Sequence, residues 1–198
     1  DNYQPSLIPI ILTDYPIPLG IVANSDIQDF YPGFILGERY FGGTRFVIVD
    51  KPNKISSSQC AEWKAHPEWP TEFNLPAGYI EFPQEVFFLI NSAHSSDSFG
   101  VEVGEIEFVF LEGQNWIQKL VIGENIREWR IAASEMNLEE VKVSSPNSMM
   151  VYQGESMKGD VGILDMLKIE IPQKFRTDTL SSIIIRDTVP DTPCLFVV

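Results

Sequence analysis

The densest group of chemically capable side chains in this sequence is the run GENIREW at 123–129, which sets Glu124, Arg127, Glu128 and Trp129 close together. A guanidinium among carboxylates forms charge-assisted pairs. An indole beside them offers an apolar face against which a sugar ring can stack. His94, in NSAHSSDSFG (91–100), supplies an imidazole with several hydroxyls around it. Two readings stand. In the first, the run is a corner: Gly123 takes an unusual backbone angle, Asn125 bonds the turn backbone, Arg127 bridges a carboxylate in a fork and Trp129 caps the core. In the second, Glu124, Arg127, Trp129 and His94 line a ligand pocket at the end of the fold.

Two further groups carry chemistry. Trp63 and Trp69 bracket an irregular loop, KAHPE, and would either pack or stack on a ligand. Asn24, Asp26 and Asp29, in NSDIQD, offer oxygen ligands to a structural calcium, or simply cap a turn. Other chemistry is missing. The sequence has no G-x-S-x-G elbow, no H-E-x-x-H, no phosphate-cradling loop and no dinucleotide fingerprint. With His66 and His94 as its histidines, it cannot build a multi-histidine metal centre. Carboxylates are plentiful, but glycoside hydrolysis needs two at a defined separation, and spacing in sequence does not supply that. Glu105 and Glu107 share one strand face and read as solvated.

The elements that must position these residues are strands. Pro and Gly, at 14 and 13 residues, punctuate short β-branched and aromatic runs throughout. Strands are expected at 45–50, 78–82, 85–93, 104–111, 116–122, 148–156, 165–171, 180–187 and 194–198. Ile106, Phe108 and Phe110 alternate with Glu105, Glu107 and Val109, as in a half-buried strand. VFFLI (86–90) is apolar on both faces and reads as a central strand covered on both sides. ENIREWRIAASEMN (124–137) reads as a turn or irregular crossing in preference to a short helix. Residues 1–44 lack period and read as a long irregular wrap over a sheet, anchored by aromatics. The expected fold is all-β: a single antiparallel β-sandwich of jelly-roll type over residues 1–198.

Composition narrows the function. The 198 residues carry a formal net charge of -14, with 28 acids against 14 bases. Nucleic-acid binding requires Lys and Arg to neutralise phosphates, so it is disfavoured, as is an anionic membrane surface. No apolar run reaches the roughly 20 residues that span a bilayer; SLIPIILTDYPIPLGIV is broken by Pro9, Pro16 and Pro18. That stretch also lacks a basic n-region and a cleavage site, so it does not read as a signal peptide. A chain starting at Asp1 reads as a mature or trimmed piece. Cys60 and Cys194 form no zinc motif; they are either buried thiols or a disulfide, which would imply an oxidising compartment.

FGGTRFVIVD (41–50), VFFLINSAH (86–94) and VGEIEFVFLEGQNWIQKLVIGENIREW (103–129), in that order, resemble segments of the galactose-binding-like jelly-roll domains associated with bacterial glycoside hydrolases and other secreted or surface proteins. LSSIIIRD (180–187) matches a late strand of that pattern. The chain departs from it at NSAH, at FLEG in the hairpin and at EW in place of DW. The resemblance covers about residues 20–198 and implies a non-catalytic accessory domain that binds glycan or polysaccharide, located in the periplasm, at the cell surface or outside the cell. Two other functions remain open: a structural or protein-interaction module of a surface assembly, and a polysaccharide-active hydrolase or lyase.

Overall fold

Alternating apolar and polar residues need a sheet with one covered face, and the sequence supplies that pattern repeatedly. The computed structural model describes residues 31, 33–48, 55–56, 72–93, 95, 98–131, 142–156, 159–189 and 194–197, of which 55, 56, 194, 196 and 197 are described by backbone alone. The strands are β1 (Gly37–Phe41), β2 (Thr44–Ile48), β3 (Ile55–Ser56), β4 (Glu72–Glu81), β5 (Glu85–Ala93), β6 (Glu102–Phe110), β7 (Asn115–Val121), β8 (Arg130–Ile131), β9 (Ser148–Glu155), β10 (Val161–Glu170), β11 (Thr179–Asp187) and β12 (Cys194–Val197). One short 3-10 turn, Gln173–Phe175, joins β10 to β11. Among the described residues no helix is long and apolar enough to cross a membrane.

The strands form three layers. A four-stranded sheet runs β4-β11-β6-β7, and a six-stranded sheet runs β3-β12-β5-β10-β8 with β9 also on β10. The named strand pairings are antiparallel. Between the two sheets lies the main core, which includes Leu75, Phe88, Ile90, Ile106, Phe108, Phe110, Leu167, Ile169 and Ile183. Two sheets closed over such a core make a β-sandwich. The third layer is the β1–β2 hairpin with Tyr31 and Phe34. Those two aromatics cluster with Ile48, Leu89, Ala93, Trp129, Leu164 and Met166 on the far side of the six-stranded sheet. β5 therefore has apolar neighbours on both faces, as VFFLI implied.

Inside the N-terminal segment expected to be irregular, Gly37–Phe41 is a strand. Gly42 and Gly43 have φ of 55° and 84°, the two positive angles that a tight type I′ hairpin requires. The pair Gly-Gly between two short runs was the signal for it. Residues 1–30 of that segment lie outside the described residues; in the part that is described, Tyr31 is fully buried and Phe34 nearly so.

Most strand bounds shift by one or two residues from expectation, and two strands begin well before it. β4 begins at Glu72, not 78, and runs through a proline, Pro76, that ordinarily argues against a strand. β4 is an edge strand, where a missing N–H can face solvent. β10 begins at Val161, not 165, and its apolar run continues on both sides of a lone acid, Asp165.

The sheets approach closely at Gly104. A Cβ there would lie 2.5 Å from the Arg186 carbonyl oxygen and 2.6 Å from Leu195 Cδ1. Gly104→Ala is expected to destabilise by about 1–3 kcal/mol through overpacking, read as a lower urea midpoint at unchanged m-value.

Candidate functional site

GENIREW is a wedge. β5 and β10 pair from Glu85↔Glu170 up to Leu89↔Met166. Beyond that point they diverge, and residues 127–131 enter the gap. Ser92 N–H donates to Arg127 O at 2.8 Å, and Trp129 N–H donates to Ser92 O at 2.9 Å. On the other side Ile163 N–H donates to Trp129 O at 2.7 Å, and β8 pairs with Val161 and Gly162 of β10. The segment thus bonds β5 with its first half and β10 with its second.

The corner chemistry read from the sequence is present. Gly123 has φ 81°, and a Cβ there would strike the Phe99 ring. Asn125 Oδ1 accepts from Val121 N–H at 2.9 Å, and its Nδ2 donates to Lys119 O at 2.8 Å. Arg127 makes the fork: Nε to Asp165 Oδ2 at 2.7 Å and Nη2 to Asp165 Oδ1 at 2.6 Å.

The carboxylate in that fork is Asp165, not the neighbouring glutamates. Asp165 was not singled out from the sequence, although an acid inside VGILDMLKIEI was a legible oddity. It lies at the crotch where the strands part, with its side chain 1% exposed. Asn91 completes the site: its Nδ2 donates to Asp165 Oδ2, and its Oδ1 accepts from Asp165 N–H, both at 3.0 Å. The amide side chain replaces the backbone partner that Asp165 loses when β5 turns away, which satisfies a buried N–H.

Glu128 is buried beside this network. Ser95 N–H and Ser95 Oγ donate to its Oε2 at 2.7 and 3.0 Å. Ser92 Oγ lies 2.6 Å from Ser95 Oγ, so a chain of hydroxyls leads to the carboxylate. Burial pushes the Glu128 carboxyl up to about 7, against the opposing pull of Ser95 and Arg130. The folded state therefore holds this proton more tightly than the unfolded chain. The associated stability is complete below the ordinary carboxylate range and is lost as pH rises through about 7. A shift of this size corresponds to roughly 3 kcal/mol. Glu128→Gln is expected to gain up to about that much on the wild type between pH 5 and pH 8, measured by urea unfolding at both values.

The remaining expected site residues are dispersed or lie elsewhere. Glu124 is exposed on the turn and takes no part in the Arg127–Asp165 fork. Trp129 is in the smaller core, its ring perpendicular to that of Tyr31 at 5.8 Å, and with 9% exposure it leaves little surface for a ligand. His94, Trp63, Trp69, the Asn24–Asp26–Asp29 group and Cys60 lie outside the described residues, as does the side chain of Cys194.

Accessible chemistry lies on the outer face of the four-stranded sheet. Core residues of these strands alternate with outward ones, so Glu72, Asn74 and Pro76 of β4 share that face with Ile184 and Arg186 of β11, Glu105, Glu107 and Val109 of β6, and Asn115, Ile117 and Lys119 of β7. Glu105 and Glu107 are not free in solvent as expected. Arg186 Nη1 binds Glu105 at 3.0 Å, Nη2 binds Glu107 at 2.6 Å, and Nε binds Glu72 at 2.5 Å. Burial works to lower the Arg186 pKa, but these three bonds outweigh it and raise it. The result is a preorganised acid–guanidinium row beside a strip of aliphatic and amide side chains, with Ile117 45% exposed.

Comparison with known proteins returns no match to this chain: no family model, no curated protein and no solved structure is significantly similar to it.

Proposed function

We propose that this sandwich is a non-catalytic carbohydrate-binding domain of the galactose-binding-like jelly-roll type, belonging to a secreted or cell-surface protein. The observation that carries the reading is the contrast between the two outer faces. The six-stranded sheet has the β1–β2 hairpin and its aromatics packed against it. The four-stranded sheet instead presents aliphatic, amide, carboxylate and guanidinium groups in register. Sugars are bound by that combination: C–H surface against apolar side chains, and hydroxyls bonded to charged or amide groups that fix orientation. Held by three carboxylates, Arg186 is in place before any ligand arrives, which reduces the ordering cost of binding.

The test is a thermal-shift screen of the chain against mono- and oligosaccharides, followed by calorimetry. A ligand that binds the native state alone raises the melting temperature by mass action. A saccharide-dependent rise supports the reading. Silence across a broad glycan set removes it and leaves the interaction-module alternative.

A further inference from the structure

Two large, exposed aromatics, one near the end of β4 and one in the turn after it, are placed where folding alone would not put them. Tyr79 has φ 58° and Phe82 has φ 53°. Left-handed backbone clashes with a Cβ, so glycine and asparagine are the residues that occupy it at least strain. A bulky aromatic there is an outlier that the surrounding structure must hold in place. Buried surface does not compensate, since Tyr79 is 68% exposed and Phe82 55%.

The device that presents them is a bulge. β11 pairs Leu180 with Ile80 and next Ser182 with Pro76, so Ala77, Gly78 and Tyr79 stand opposite Ser181. Gly78 is also left-handed, at φ 70°. Phe82 follows in the turn from β4 to β5. Gln84 Nε2 donates to Phe82 O at 2.9 Å, and Ile171 N–H donates to Gln84 O at 2.9 Å, which fastens the turn to the end of β10. Leu111, 57% exposed, stands at the same end: its N–H donates to Thr179 O, and Thr179 pairs with Glu81. The Tyr79 hydroxyl has no hydrogen-bond partner among the described residues, whereas Tyr31 donates to Ile163 O and Tyr40 to Glu38.

We propose that Tyr79 and Phe82 form the stacking subsite for an uncharged oligosaccharide at the β4–β5 end of the open sheet face. The proposal rests on the glycan-binding reading and assigns the residues that carry it. An aromatic ring offers its face to the C–H side of a pyranose. Hydroxyls of the same sugar would draw on the Tyr79 phenol, the Gln84 amide oxygen, whose nitrogen already donates to Phe82 O, and the exposed Glu81 carboxylate of the same strand end and turn. The charge around the turn selects against polyanions. Glu81 and Glu85 are exposed, Lys168 is already paired with Glu85 and Glu170 at 3.4 and 2.8 Å, and the chain as a whole carries -14.

The experiment is isothermal titration of the chain and of its Tyr79→Asn and Phe82→Asn variants with neutral gluco-, galacto-, manno- and xylo-oligosaccharides. A uronate oligomer and a lysine-rich peptide are titrated as competitors for the assignment. Asparagine tolerates the left-handed backbone, so the melting temperatures are expected to hold or rise. Binding of at least one neutral oligosaccharide is expected to weaken about tenfold or more in each variant and to vanish in the double variant. If the parent chain binds a neutral glycan and both variants bind it equally well, the subsite assignment falls while the glycan reading stands. If the parent chain binds no neutral glycan, both fall. Tighter binding of the uronate or the peptide overturns the ligand class. A clear drop in melting temperature in both variants assigns the aromatics to the fold and overturns the subsite.

Discussion

Arg127→Ala is expected to lower the unfolding free energy by about 3–5 kcal/mol, the loss typical when one partner of a buried ion pair is removed. The effect is large because of what remains. Asp165, with its side chain 1% exposed, would keep a buried carboxylate whose paired guanidinium has gone, with Asn91 as its remaining side-chain donor. Arg127 itself reaches the margin of the structure, its side chain 13% exposed. Asp165→Ala should therefore be milder, since the guanidinium already lies at the margin and can reach water. The control is the double replacement Arg127→Met with Asp165→Leu. Apolar groups of similar size commonly match or exceed a buried pair in stability, so the double variant should recover much of what Arg127→Ala loses. Urea denaturation of all four proteins at one pH measures the set. Equal stability of Arg127→Ala and the parent would mean that the fork does not hold the wedge.

The second large effect is expected at Tyr31. It is 0% exposed, meets Trp129 and Tyr152 edge-on at 5.8 and 5.5 Å, and donates to Ile163 O at 3.0 Å. Tyr31→Ala should cost about 3–5 kcal/mol, as for other large aromatics removed from a core. Tyr31→Phe should cost only about 0.5–1.5 kcal/mol, the net value of a hydrogen bond such as the one to Ile163 O. The difference between the two isolates the ring, and denaturant melts of both variants measure it. Burial, and then the charges of Asp165 and Glu128, push the Tyr31 phenol well above its ordinary value. It therefore remains a donor through neutral pH. Its contribution is lost only as pH climbs above the ordinary tyrosine range, where the unfolded chain gives up the proton and the folded one resists.

Much of the fold was legible because burial imposes a period. β5 matched its expected bounds, and the alternation in 105–110 placed Ile106, Phe108 and Phe110 in the core and their neighbours outside it. GENIREW was legible as a corner because Gly, Asn and Arg each have a local reason to be there. Its partner was harder to read. Asp165 is 38 residues from Arg127 and 74 from Asn91, and no local period links such positions. Glu105 and Glu107 looked solvated for the same reason: the cation that holds them, Arg186, comes from a distant strand. The candidate surface was the least legible part. Tyr79 and Phe82 look like ordinary strand residues in GYIEF, and only the observed backbone angles set them apart.

The distortion at the end of β4 also bears on how copies of this protein meet. An edge strand with a free row of N–H and C=O groups is a template for another chain, and repeated pairing along such rows leads to aggregates and fibres. β4 is the outer strand of its sheet. It carries a proline, a bulge and the left-handed pair Gly78–Tyr79, and an incoming strand would meet missing donors and a twisted backbone. The irregularity that turns Tyr79 outward thus also makes that flank of the sandwich a poor seed for intermolecular β-pairing, so crowding many copies on a surface would not by itself zip them together along this edge.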